Sequence, residues 1–149
     1  MSRRLRPEGP QRQRRCTGAG GEAICRPDER DEFLSSENVM ILESWNVNTD
    51  PELSIARARL TPGQGTEAHC LEGITERYLI ASGVGRVFVG SLPPEDIRPG
   101  DVVFIPPGVS QRLVNTGSED LVFYCLCTPA FDQANYRRLE PASGDASGE

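Results

Sequence analysis

Gly63-Gln64-Gly65-Thr66-Glu67-Ala68-His69-Cys70-Leu71-Glu72-Gly73-Ile74-Thr75-Glu76 carries the single histidine of a 149-residue chain. Glu76 stands seven residues after His69, and Tyr78 follows two further on. A second block, Gly100 to Asn115, holds Gln111 between Pro106-Pro107-Gly108 and Asn115. Glycine and proline bound both blocks, and the residues within them alternate as strands do. We read the two blocks as framing one pocket.

Working outward, residues 39–45, 53–60, 77–81, 84–89, 101–105, 110–114 and 121–128 read as strands. In 53–60, Leu53, Ile55, Arg57 and Arg59 share one face; Ser54, Ala56, Ala58 and Leu60 share the other. Residues 121–128 are apolar on both faces, the pattern of a strand covered on two sides. Residues 27–34 open on Pro27 with acids after it, which predicts a short helix or turn. Residues 131–140 read as a short helix or a strand-like tail. Short strands between Gly and Pro, with no long amphipathic helix, predict an all-β sandwich or barrel. Residues 1–30 are expected to be a basic N-terminal extension, partly disordered, with Arg3, Arg4, Arg6, Arg12, Arg14 and Arg15 against Glu8. Residues 31–140 form the barrel, and 141–149 a disordered tail.

Composition narrows the function classes. A net charge of -6 makes nucleic acid an unlikely partner. No apolar run reaches the length of a membrane span, so no membrane association is expected. The N-terminus lacks an apolar signal core, so the expected location is cytoplasmic. Five cysteines, an odd number, argue against a disulfide framework. Cys125 and Cys127 are two apart on one strand and read as small buried side chains.

The two blocks resemble the paired motifs of the cupin superfamily. Gly63, His69, Glu76 and Gly83 fall in register with the first motif, and Gly100, Pro106, Gly108 and Asn115 with the second. The resemblance covers residues 39–129. It implies a cupin barrel, a double-stranded β-helix or jelly roll, and a homodimer. Two family ligand positions differ: Leu71 stands where the first motif has its second histidine, and Gln111 where the second motif has its own. The chain is also similar to a group of uncharacterised bacterial cupins that share His-x-Leu, Glu-Arg-Tyr, Gln-Arg and a late Cys-Thr-Pro.

Those departures shape the chemistry. One histidine makes neither a three-histidine iron site nor a two-histidine-one-carboxylate triad within one chain. Alternation along the strands points His69, Leu71, Glu76, Tyr78, Gln111 and Leu113 inward, and Cys70, Arg77 and Arg112 outward, the arginines paired with acids. Several readings follow. In the first, His69, Glu76 and Gln111 hold a divalent metal (zinc, manganese, iron or nickel) with open positions for Lewis-acid catalysis. In the second, His69, Glu76 and Tyr78 move protons without a metal, as in isomerase- or epimerase-like cupins. In the third, the barrel binds a small polar, sugar-like ligand without turnover. A structural or regulatory barrel whose polar residues only satisfy one another is the fourth. Enzyme and binder stay open alternatives at this point. The doubly apolar strand 121–127, with Trp45 or Phe131 beside it, agrees with a homodimer interface.

Overall fold

The computed structural model describes residues 24–139. The expected disordered tail, and residues 1–23 of the expected basic extension, lie outside the described residues. Among the described residues, eleven strands form two antiparallel sheets. The larger sheet contains β1 (Phe33–Leu34), β2 (Met40–Trp45), β3 (Ser54–Leu60), β10 (Leu121–Thr128), β5 (Thr75–Ser82) and β8 (Val102–Ile105), in that spatial order. The smaller contains β11 (Tyr136–Arg138), β4 (His69–Leu71), β9 (Gln111–Asn115), β6 (Gly85–Val89) and β7 (Glu95–Ile97).

β10 is central because both its neighbours need it. It pairs with β3 from Leu121↔Leu60 to Cys127↔Ser54, and with β5 from Val122↔Ser82 to Thr128↔Thr75, with one irregularity at Val122/Phe123. Its expected burial on two sides holds on one: Leu121, Phe123 and Cys127 are buried, whereas Val122, Tyr124 and Leu126 are half-buried. Small residues at Ala56 and Ala58 let β2 and β10 pack beside β3. The main core gathers Leu60, Tyr78, Ile80, Ile105, Leu113, Leu121 and Phe123 between the sheets. A second apolar cluster, Leu71, Ile74 and Cys127 with Phe131 and Tyr136, lies beside β4.

Turn chemistry sets the connections. Gly83 joins β5 to β6 at φ +82, and a Cβ there would sit 2.5 Å from Asp120 O. Asn115 ties the end of the second block: its Nδ2 donates to Leu60 O and Glu119 O, and its Oδ1 accepts from Gly117 N.

Some expectations shift. Residues 27–34 form a three-residue 3₁₀ turn, Glu29–Asp31, capped by Asp28, and then β1; with so few residues, pairing to β2 outweighs helix propagation. Glu29 and Glu32 from this segment pair with Arg57 and Arg59 on β3. The C-terminal segment contains both a 3₁₀ turn, Gln133–Asn135, and β11. Cys25 is disulfide-bonded while Cys70, Cys125 and Cys127 are free, so the described cysteines build no disulfide framework. Among the described residues, no helix is long and apolar enough to cross a membrane.

Candidate functional site

The six residues expected to face inward are all buried: His69, Gln111, Leu71, Tyr78, Leu113 and Glu76, the last 7% exposed. Strand register explains the gathering. β4 and β9 touch at His69↔Gln111, and β6 meets β9 there at Val89↔Gln111. On the facing sheet, β10 sets Cys127 opposite Glu76 and Cys125 opposite Tyr78. Polar groups from both sheets thus share one end of the barrel.

His69 is held at both ring nitrogens. Nδ1 lies 2.6 Å from Glu67 O and donates to it, which leaves Nε2 facing Glu37 Oε2 at 3.3 Å. The Tyr136 ring stacks on the imidazole, centroids 5.3 Å apart and planes at 28°. Gln111 is fixed at its other end: Tyr78 Oη donates to Gln111 Oε1. Gln111 Nε2 is buried and faces the Glu76 carboxyl without making a close hydrogen bond to it. The Tyr136 hydroxyl is buried beside Ser36, among Glu37, Glu67 and Arg138, without a close hydrogen bond.

The carboxyls carry the unusual electrostatics. Burial pushes the Glu76 carboxyl up to about 7, and neighbouring Glu37 adds to the rise. The Cys127 thiol donates to Glu76 Oε2 at 3.2 Å and opposes the shift, as do His69 and the nearby Gln111 amide. Desolvation also raises Glu37, with His69 pulling against it. Burial holds the Cys125 and Cys127 thiols far above their usual range, so both are neutral. Burial likewise moves Tyr136 up to about 12. A carboxyl near 7 is half neutral at physiological pH, so it can give or take a proton there.

The donors bear on the metal expected at His69, Glu76 and Gln111. The Gln111 oxygen, the amide atom able to ligate, accepts from Tyr78. His69 Nε2 faces a carboxyl of the same chain. Among the described residues, no group of three His, Cys, Asp or Glu side chains is arranged to hold an ion. The described residues do not form a metal shell.

Glu37, Cys127 and Tyr136 join the cluster without having been singled out as site residues. Cys127 was legible only as a small side chain, and β10–β5 register converts it to a partner of Glu76. Of the residues expected to face outward, Cys70 is fully buried, opposite Arg137 on β11. Arg77 bonds Thr128 Oγ1, and Arg112 lies over the Phe88 ring at 5.4 Å, in place of the expected acids. A separate open groove of about 610 Å³, lined by Val84, Arg86, Asp96, Arg98, Asp101 and Thr116, lies elsewhere. It sits at the Gly85↔Asn115 end of the β6–β9 ladder, opposite the Val89↔Gln111 end.

Residues 56–127 match the family model of the cupin domain. The oxalate-binding protein of Thermotoga maritima is 41% identical over 71 residues, which is 48% of this chain and 58% of that protein's length. A solved structure described as a predicted oxalate decarboxylase from Thermotoga maritima is 29% identical, with a TM-score of 0.57 over 61% of this chain and 80% of that one. A conserved protein with a double-stranded β-helix domain from Klebsiella pneumoniae aligns at 17% identity and a TM-score of 0.63, over 76% of this chain and 94% of that one. The last likeness is one of fold alone.

Proposed function

We propose that this barrel, residues 56–127 of which match the cupin domain, binds a small, acceptor-rich molecule, a carboxylate or carbonyl compound, at His69, Glu76 and Gln111. Gln111 Nε2 carries this reading. It is a buried amide donor whose oxygen is tied to Tyr78 and whose nitrogen faces Glu76 without a close hydrogen bond. Leaving such a donor unmatched costs about 1–3 kcal/mol, which a ligand oxygen would return. Beside it, a neutral Glu76 offers a second donor. Donors that converge on one point favour a ligand rich in acceptors. The name of the 41% identical relative supports the same class.

An anionic ligand meets Glu37 and Glu76 as well as His69. It therefore binds best when the carboxyls are protonated, and affinity falls as pH rises through about 7. Calorimetric titration with oxalate and with glyoxylate at pH 6 and pH 8 tests this. We expect binding of at least one probe, tighter at pH 6 and lost in Gln111→Leu. Absence of binding by both, or binding indifferent to Gln111→Leu, refutes the reading.

A second reading is turnover without a metal. Glu76 as acid–base, with His69 and Tyr78 nearby, suits proton transfer on a bound carbonyl compound. Solvent deuterium exchange into glyoxylate homologues bearing an α-hydrogen, such as pyruvate, separates the two readings. Exchange abolished by Glu76→Gln supports catalysis; binding without exchange leaves a binding protein.

The homodimer belongs here too. Val102 and Phe104 on edge strand β8, and Leu79 on β5 opposite Val102, are exposed large apolar side chains. Phe104→Ser is expected to shift a dimer to monomer in analytical ultracentrifugation. A cytoplasmic location is supported by the three free thiols, while the disulfide at Cys25 weighs against it.

A further inference from the structure

Glu37 stands outside residues 56–127, the stretch that matches the cupin domain, yet it touches the single histidine. The contact is part of a closed ring of bonds. Glu67 N donates to Glu37 O at 3.0 Å, His69 Nδ1 donates to Glu67 O, and His69 Nε2 faces the Glu37 carboxyl. One residue, Glu67, therefore holds Glu37 through its backbone N–H and the imidazole through its C=O. The turn that delivers Glu37 is built for the purpose. Asn38 takes the left-handed conformation at φ 66, which asparagine tolerates. Its amide reaches Gln64 Oε1 and Gly65 O, and Glu37 N receives support from Ser35 Oγ. The Glu37 side chain is 20% exposed and stands at the rim, whereas His69 is fully inside.

We infer that Glu37 is a positioning residue of the site and takes the place in front of His69 Nε2 where a metal ion would otherwise bind. The carboxyl holds the imidazole as a hydrogen-bonding group with Nδ1 protonated. The site thereby works on its ligand through protons and hydrogen bonds. This inference deepens the small-ligand reading and rests on it for what the held imidazole serves. The alternative geometry, in which Glu37 is itself a ligand to a metal shared with His69, makes the opposite prediction for the same variants.

Because His69 is the one histidine of the chain, its imidazole nitrogens give unambiguous nuclear magnetic resonance signals in the full-length protein. The experiment compares wild type, Glu37→Gln and Glu37→Ala, each with and without one equivalent of zinc, and reads the imidazole nitrogens and the bound zinc. In wild type we expect a protonated Nδ1 and no response to zinc. Glu37→Gln should move the Nε2 signal, and Glu37→Ala should admit zinc to Nε2. If Glu37→Ala does not fold, the shift in Glu37→Gln carries the comparison. Zinc bound at His69 in wild type and lost in Glu37→Gln overturns the inference. So do imidazole signals identical in wild type and Glu37→Gln. Oxalate and glyoxylate binding is scored separately, so failure of the ligand reading leaves these outcomes unchanged.

Discussion

Replacing Glu76 by Gln should make the protein's stability less sensitive to pH, and the size of the effect follows from the site. Burial raises the Glu76 carboxyl to about 7 in the folded chain, against an ordinary value of 4.5. Burial is the leading cause, and the side chain is among the buried polar groups at 7% exposure. A carboxyl whose folded pKa is raised binds more protons in the folded than in the unfolded state between those two values. Its contribution is therefore fully present below about 4.5 and lost as pH rises to about 7. At about 1.4 kcal/mol for each tenfold change in proton affinity, the loss is roughly 3 kcal/mol. Gln keeps an oxygen to accept the Cys127 thiol at Oε2's place and never ionises. Urea unfolding of both proteins at pH 5, 7 and 9 reads the difference. With a slope of about 2 kcal/mol per molar for a domain this size, the midpoint advantage of Glu76→Gln should grow by about 1.5 M from pH 5 to pH 9. Midpoints that stay parallel across that range would show that the carboxyl is solvated, and the reasoning about the site's proton would fall with it.

Tyr78→Phe removes the donor to Gln111 Oε1 and leaves that oxygen buried and unpaired; urea unfolding should show a loss of about 1–3 kcal/mol. Gly83→Ala places a Cβ 2.5 Å from Asp120 O and 2.8 Å from Leu121 Cα at a positive φ. Thermal unfolding should report a loss of about 2 kcal/mol or more, the left-handed backbone supplying part and the clash the rest. Cys127→Ala takes away the thiol that lowers Glu76. The Glu76 titration, followed by carbon resonance, should move upward, and Cys127→Ser should keep it near the wild-type position.

The barrel was readable because its punctuation is local. Gly83, Gly100 and Gly108 take positive φ, and alternation in 53–60 reports faces directly, with Ser54, Ala58 and Leu60 buried. His69, Glu76, Tyr78 and Gln111 were readable as inward side chains for the same reason. β4 was harder: three residues, all buried, carry no alternation to detect. Glu37 gave no signal at all. It lies in an acidic segment in which Glu29 and Glu32 instead pair with Arg57 and Arg59. Only the turn at Asn38 and the bond to Glu67 N single it out. Tyr136 depends likewise on β11 pairing with β4, a contact made across more than sixty residues of chain.

The place of β10 also bears on how the chain reaches its fold during synthesis. Residues 54–60 and 75–82 are neighbours of residues 121–128 and not of each other. As the chain leaves the ribosome, β3 and β5 emerge first, with their inner faces uncovered and no strand to join them. Residues through 128 must be made before that gap is filled. Closure of the larger sheet is thus a late event with high contact order, slow relative to helical domains of equal length. Truncations that stop short of residue 121 should yield chains that aggregate rather than smaller barrels, since each half of the larger sheet lacks its shared partner.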